Sequence, residues 1–108
     1  MKRGDIAIVA YGELGRPRPV VIVQADELGD RTRTIVACPV TSEVTEKLAI
    51  RPTVEPDAAN GLRVQSQIMT DRILAVPRER VRQLIGSVNS QTRDRLDSAL
   101  LLVLGLGR

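Results

Sequence analysis

The feature of this sequence that most constrains its fold is the run Val20-Val21-Ile22-Val23, which closely follows Arg16 and Arg18. β-Branched side chains pack well on a pleated sheet, and an uninterrupted apolar run is typical of a strand covered on both faces. Guanidinium groups, by contrast, are costly to bury. We therefore predict a strand over residues 18–24 that lies in the core along most of its length and whose start emerges at the surface.

Further strand signals, separated by turn residues, fill the first three quarters of the chain. We predict strands over residues 5–11, 33–40 and 48–55. The last of these is a weak edge strand, because Pro52 interrupts it. Gly61, at the end of the following loop, can adopt a positive φ. Residues 62–76 predict either one long strand or two short strands joined by a kink.

Helical patterns begin at Pro77. Residues 77–85 predict a short helix with Pro77 at its first position, and Gly86 would end it. Ser90 is the expected N-cap of a last helix over about residues 91–104. The inward stripe of this helix consists of Leu96, Ala99, Leu100, Val103 and Leu104.

The last helix carries more apolar residues than one sheet face requires. Leu101 and Leu102 widen its stripe, which indicates either a partner surface or a deeply buried helix. Short strands followed by a C-terminal helix predict an α+β fold, a small and strongly curled antiparallel sheet or partly open barrel. We expect one domain over residues 1–108, and so small a core favours dimerisation.

The composition excludes several classes of function. The chain has no histidine, so the usual general base and the commonest metal ligand are missing. A single cysteine, Cys38, rules out thiolate clusters and is typical of a buried thiol in a reducing compartment. Tyr11 is the only aromatic residue, so a nucleic acid would be held by charge and hydrogen bonds rather than by stacking. The net charge of +3 fits a polyanionic partner and a solvated basic surface about equally well.

No part of the sequence predicts entry into a membrane. The apolar segment 6–10 is too short for the core of a signal peptide, and no segment approaches the length of a membrane span. We expect a cytoplasmic protein.

The remaining chemistry is that of arginine and hydroxyl groups. If strands 18–24 and 33–40 pair antiparallel, Arg18 and Thr41 lie at the same rim of the sheet. A guanidinium beside a hydroxyl can clamp a phosphodiester, and RNA supplies its own nucleophile, the 2′-OH. From the residues alone, a surface arginine that flanks a core strand explains Arg18 better. Acidic pairs such as Glu43 and Glu46 fall in loop-like segments, which indicates solvated charge.

Four segments together resemble a known family. They are “RGDI” at 3–6, “RPVVIVQAD” at 18–26, “IVACPVTS” at 35–42 and “ALLLVLGL” at 99–106. In this order they resemble, nearly end to end, the MazF/PemK-type toxins of bacterial type II toxin–antitoxin systems. The resemblance implies an SH3-like barrel that forms a homodimer with RNA in the dimer groove.

The resemblance also implies an activity and partners. The activity is that of an mRNA interferase, which arrests growth by cutting single-stranded RNA at short sequences without a metal or other cofactor. The adjacent 2′-OH attacks the scissile phosphate and leaves a 2′,3′-cyclic phosphate. The implied protein partner is a small antitoxin whose disordered tail occupies the groove and through which the toxin associates indirectly with DNA.

The resemblance assigns roles to individual residues. Arg18 matches the catalytic arginine, which stabilises the phosphorane, and Thr41 matches the hydroxyl residue that orients the phosphate or the 2′-OH. The candidate RNA contacts are Arg3, Glu13, Arg16, Ser42, Ser66 and Arg72. Glu13 fits the neutralisation of a neighbouring arginine equally well, and Arg72 fits an exposed strand position slightly better.

The chain departs from the family in two segments. The loop at 11–17 is shorter than usual, which predicts a reduced lid over the site. Arg72 and Leu74 stand where glutamine and arginine are common, so the RNA sequence that is cut is the least transferable property.

Two other functions fit the same fold. One is a non-enzymatic toxin that inhibits a protein target such as a topoisomerase. Members of that branch use a C-terminal tryptophan, whereas this chain has no tryptophan and ends in “LGLGR”. The other is a module that only binds RNA or an antitoxin, against which the retention of both Arg18 and Thr41 argues.

Overall fold

The computed structural model describes residues 1–11 and 15–107. Within them the chain forms seven strands and one α-helix. The elements are β1 (Asp5–Tyr11), β2 (Arg16–Ile22), β3 (Thr34–Thr41), β4 (Thr53–Val54), β5 (Ser66–Ile68), β6 (Leu74–Pro77), β7 (Val81–Ser87) and α1 (Ser90–Val103). No helix in the described ranges is long and apolar enough to cross a membrane.

The strands form an antiparallel sheet in the order β4-β5-β3-β2-β1-β7. Strand β3 pairs with β2 along one edge. Its other edge is shared, because β6 pairs with residues Thr34–Ala37 and β5 pairs with Val40 and Thr41. This division curls the sheet into a half-barrel, and α1 packs on one side. The predicted α+β architecture is confirmed, and β4 lies at the edge as expected.

The second part of strand β2, from Val20 to Ile22, is buried on both faces, as its β-branched run predicts, and its first residues are exposed. Val21 belongs to the cluster that includes Leu96 and Leu100 of α1. Val20 and Ile22 point into a second cluster on the opposite face of the sheet. Burial of each such side chain contributes about 1.5–3 kcal/mol, so these residues of β2 contribute substantially to the stability of the fold.

Cys38 of β3 is fully buried in the cluster under α1. Burial raises the pKa of its thiol to about 12. The neutral thiol behaves here as a small apolar side chain, as expected from its apolar run.

The C-terminal helix begins one residue earlier than predicted. Its N-cap is Asn89, whose side chain accepts a hydrogen bond of 2.8 Å from the backbone N–H of Thr92. The expectation of Ser90 as N-cap was wrong, because asparagine caps helices equally well. Leu101 and Leu102 of the widened stripe are exposed, and so is Leu104, which was expected to face inward.

The predicted helix over residues 77–85 was also wrong. Arg78–Arg80 form one 3₁₀ turn, and the chain then continues as β7, which pairs antiparallel with β1. A nine-residue helix is marginal on its own, and the unpaired edge of β1 offers hydrogen bonds that outweigh the local pattern. Gly86 therefore lies in a strand rather than at a helix end.

The segment 62–76 forms the second of the two predicted alternatives. Strands β5 and β6 are joined by a 3₁₀ turn over Thr70–Arg72. Within this turn, the Thr70 hydroxyl donates to the Ile50 carbonyl at 2.5 Å. The joint is thus tied to the loop that follows β3.

Candidate active-site cleft

A cleft of about 640 Å³ opens where β3 ends. Its apolar lining includes Ile8, Val40, Met69 and Ile85. The charged residues that line it, among those the structure describes, are Arg18, Glu43 and Arg63. Two cations against one carboxylate favour an anionic ligand, and the apolar lining suits the flat faces of a base or sugar.

Arg18 and Thr41 both line this cleft. Strands β2 and β3 pair antiparallel, with Val20 opposite Pro39 and Ile22 opposite Ala37. The pairing of the two strands ends at Val20 and Pro39, and Arg18 and Thr41 each lie two residues beyond it, on the same side. The two residues therefore lie at one rim of the sheet, as antiparallel pairing predicts. Arg18 is exposed, so its guanidinium is available to a ligand.

The Thr41 hydroxyl is held by the turn that follows it. Its Oγ1 accepts a hydrogen bond of 3.0 Å from the backbone N–H of Glu43. This is the local turn that threonine favours at the end of a strand. Because the oxygen is already an acceptor, the hydroxyl proton is left to donate to an anionic ligand.

Both candidate serines also line the cleft. Ser42 is exposed beside Thr41. Ser66 is buried, and its Oγ donates to the Val64 carbonyl at 3.0 Å. Ser66 therefore shapes the wall of the cleft and has its proton committed to that wall.

Three other candidate RNA contacts lie outside the cleft lining. The Arg3 guanidinium forms an ion pair with Asp97 of α1 and donates to the Val23 carbonyl at 3.0 Å, so it ties the helix to the sheet. Arg16 is exposed at the start of β2, and Arg72 is exposed in the 3₁₀ turn before β6. Glu13 lies outside the described residues.

Two charged residues of the cleft were missed by sequence reasoning. Glu43 was interpreted as solvated loop charge, and Arg63 was assigned to a strand without a role. Glu43 reaches the cleft from the turn that follows β3. Arg63 reaches it because the loop before β5 packs against β7. In the sequence, Gly61 is the residue that could have indicated this close packing. It has a positive φ of +71°, as predicted, and a Cβ added to it would lie 2.3 Å from the Ile85 carbonyl oxygen.

An ion pair fixes the loop that leaves the cleft. Arg51 Nε lies 2.8 Å from Asp71 Oδ1, and Arg51 Nη2 lies 2.9 Å from Oδ2. This two-point contact lowers the pKa of Asp71 and raises that of Arg51. The loop between β3 and β4 is thereby fastened to the turn between β5 and β6.

The fold and the cleft together define a class: small half-barrel proteins with an arginine and a hydroxyl residue at one rim of the sheet. The chain belongs to the family of PemK-like, MazF-like toxins of type II toxin–antitoxin systems, which matches residues 2–104.

Similar proteins agree with this assignment. The chain is 36% identical over 108 residues to “Probable endoribonuclease MazF” of Mycolicibacterium smegmatis, and the match covers 98% of each chain. It is 29% identical over 113 residues to “Endoribonuclease EndoA” of Bacillus subtilis, covering 98% and 96% of the two chains. A solved structure described as “Endoribonuclease in complex with its cognate antitoxin from Mycobacterial species” has the same fold, with a TM-score of 0.84, 20% identity, and coverage of 100% and 98%.

Proposed function

We propose that this protein is the toxin of a toxin–antitoxin pair and acts as a sequence-specific endoribonuclease on single-stranded RNA. The observation that carries the proposal is the position of Arg18 and Thr41 at one rim of a cationic cleft. Family membership and the endoribonuclease names of two relatives support it.

The reaction needs no nucleophile from the protein. The 2′-OH of RNA loses its proton and attacks the neighbouring phosphorus, the new O2′–P bond forms, the P–O5′ bond breaks, and the leaving O5′ takes up a proton. The products are a 2′,3′-cyclic phosphate and a free 5′-OH. The protein has to hold the RNA in line and stabilise the charge that develops on the non-bridging oxygens.

Arg18 supplies that stabilisation. Its planar guanidinium can donate two parallel hydrogen bonds to the phosphate oxygens. Arginine stays protonated at neutral pH, so its role is to stabilise charge rather than to transfer a proton. The oxygen of the Thr41 hydroxyl is held by the Glu43 N–H. The hydroxyl then donates a hydrogen bond to the phosphate or orients the 2′-OH.

The partners follow from the surfaces that the fold leaves open. The exposed apolar residues at the C-terminal end of α1 include Leu101, Leu102, Leu104 and Leu106. They form the contact with a second copy, because one small half-barrel cannot cover them itself. In the cytoplasm, the tail of the antitoxin covers the cleft, and acidic residues in that tail would suit Arg18 and Arg63. Association with DNA is indirect, through the complex with the antitoxin.

Primer extension on long single-stranded RNA, with pure protein in excess EDTA, tests the proposal. We expect cuts at a recurring short motif, and their loss in Arg18→Ala. Arg33→Ala is the matched control. Arg33 is also exposed, but it lies just before the first residue of β3, at the end of the strand away from Thr41. Cuts that persist in Arg18→Ala would move catalysis elsewhere. Intact RNA on two unrelated transcripts would favour a toxin that inhibits a protein target.

A further inference from the structure

We propose that Gln67 is a positioning residue for the Thr41 hydroxyl. It holds both ends of the turn over residues 41–45, and this role rests on the RNA cleavage proposed above. Neither the position of Gln67 in β5 nor its side-chain type marks it as part of a site.

Gln67 is joined to the start of the turn through the backbone. It lies on β5 directly opposite Thr41 of β3 in the antiparallel register. The residue is buried, with only 3% of its surface exposed. Residues that face each other across antiparallel strands project to the same side of the sheet, so the amide extends on the side of Thr41.

The same amide holds the end of the turn. Its Oε1 accepts from the backbone N–H of Thr45 at 3.0 Å, and its Nε2 donates to the Thr45 carbonyl at 2.9 Å. Both backbone groups of Thr45 are thus paired with one side chain, as they would be with a neighbouring strand. A third bond, from Nε2 to Thr53 Oγ1 at 3.2 Å, orients the amide.

Through this turn, Gln67 fixes the direction of the Thr41 hydroxyl. The bond from the Glu43 N–H to Thr41 Oγ1 lies inside the turn that Gln67 closes. Without the amide, the N–H and carbonyl of Thr45 lose their partners and the turn opens toward water. The Thr41 hydroxyl then loses its fixed direction while Arg18 stays in place. Such a change affects the transition state more than the binding of RNA.

Gln67→Met tests this role, because methionine has a similar length but forms neither bond to Thr45. We expect kcat to fall about tenfold with KM within about twofold of wild type, as loss of orientation without loss of binding requires. Thr53→Val removes only the third bond and leaves both bonds to Thr45, so its kcat should fall much less than that of Gln67→Met.

Gln24→Met is the matched control for general loss of stability. Gln24 is also a buried glutamine, and its amide bonds Val36 N and Thr32 Oγ1 near the opposite end of β3. This variant should lose thermal stability comparably and keep its kcat. In a Thr41→Val background, Gln67→Met should lower kcat no further. An equal fall of kcat in Gln24→Met, or full additivity with Thr41→Val, would overturn the positioning role.

A measurement independent of activity separates this role from the proposed function. The solvent exchange of the Glu43 amide proton, followed by NMR, should accelerate in Gln67→Met and remain slow in Gln24→Met. If wild-type protein cuts no RNA but the exchange behaves as stated, the function fails and the control of the turn stands. If the exchange is unchanged in Gln67→Met, the positioning role fails whatever the activity.

Discussion

A buried glutamine amide forms hydrogen bonds near each end of β3, but the two amides stabilise different turns. Near the first end, buried Gln24 bonds the backbone of Val36 and the side chain of Thr32. At the second end, buried Gln67 bonds the backbone of Thr45. Each amide supplies hydrogen bonds at the point where the β3 ladder gives way to a turn.

The difference lies in how each turn is closed. The turn before β3 is held by bonds within its own backbone, such as Gly29 N to Asp26 O at 3.0 Å, and by the Arg78 guanidinium, which donates to the carbonyls of Thr32 and Gly29. The turn after β3 is held by Gln67 and by the Arg51–Asp71 pair, which come from elsewhere in the chain. Because residues from other parts of the chain hold the turn after β3, the position of this turn is fixed relative to Arg18 on β2.

We expect the largest effect from a substitution in the part of the cleft where the loop at Gly61 packs against β7. Gly61→Ala combines a φ of +71° with a Cβ 2.3 Å from the Ile85 carbonyl oxygen. We expect a loss of about 3 kcal/mol in the free energy of unfolding, from backbone strain together with overpacking. Urea denaturation measures it.

Gly105→Ala is the matched control, since Gly105 has a φ of +72° but open space around its Cβ. Its loss should be about 1 kcal/mol, from the backbone conformation alone. Equal losses in the two variants would mean that the close approach of this loop to β7 does not hold the wall.

A smaller effect distinguishes binding from catalysis within the cleft. Arg63 is exposed on the wall and contributes charge to the cleft. Arg63→Ala should raise KM for a short RNA about fivefold and leave kcat unchanged, because a single phosphate contact binds ground state and transition state alike. Cleavage kinetics at two salt concentrations measure this, and a lower salt dependence should accompany the change. A fall in kcat instead would place Arg63 at the reacting phosphate.

The smallest effect concerns the ion pair that fastens the loop after β3. Arg51 lowers the pKa of Asp71 in the folded protein, so the pair stabilises the fold above the unfolded pKa, about 3.9. Asp71→Asn should cost at most about 1 kcal/mol near pH 7. This difference from wild type should shrink as the pH falls through the folded pKa. Denaturation curves at neutral and acidic pH test the sign, and a difference that grows in acid would contradict it.

Sequence reasoning reached the parts of the site that depend on one strand pair. The β-branched run of β2 and the antiparallel pairing with β3 were enough to bring Arg18 beside Thr41. The half-barrel and the last helix also followed, since short strands with turn residues and a helical stripe are local patterns.

The parts that depend on distant contacts were not predictable in the same way. Residues 77–85 carry a helical pattern, yet pairing with β1 makes β7 a strand. Arg63 enters the cleft only because Gly61 and Gly86 let two backbones approach closely. Gln67 acquires a role from Thr45, far from it in sequence, and no local pattern records that contact.

The most direct test is whether the RNA supplies the nucleophile at the rim formed by Arg18 and Thr41. A short RNA that wild-type protein cuts should be compared with the same RNA carrying a 2′-deoxy sugar at the cleaved nucleotide, in EDTA. We predict that the modified strand binds with similar affinity but is not cut, and that the unmodified strand yields a 2′,3′-cyclic phosphate. Cleavage of the 2′-deoxy strand would contradict the mechanism, because a protein group or water would then have to attack the phosphate.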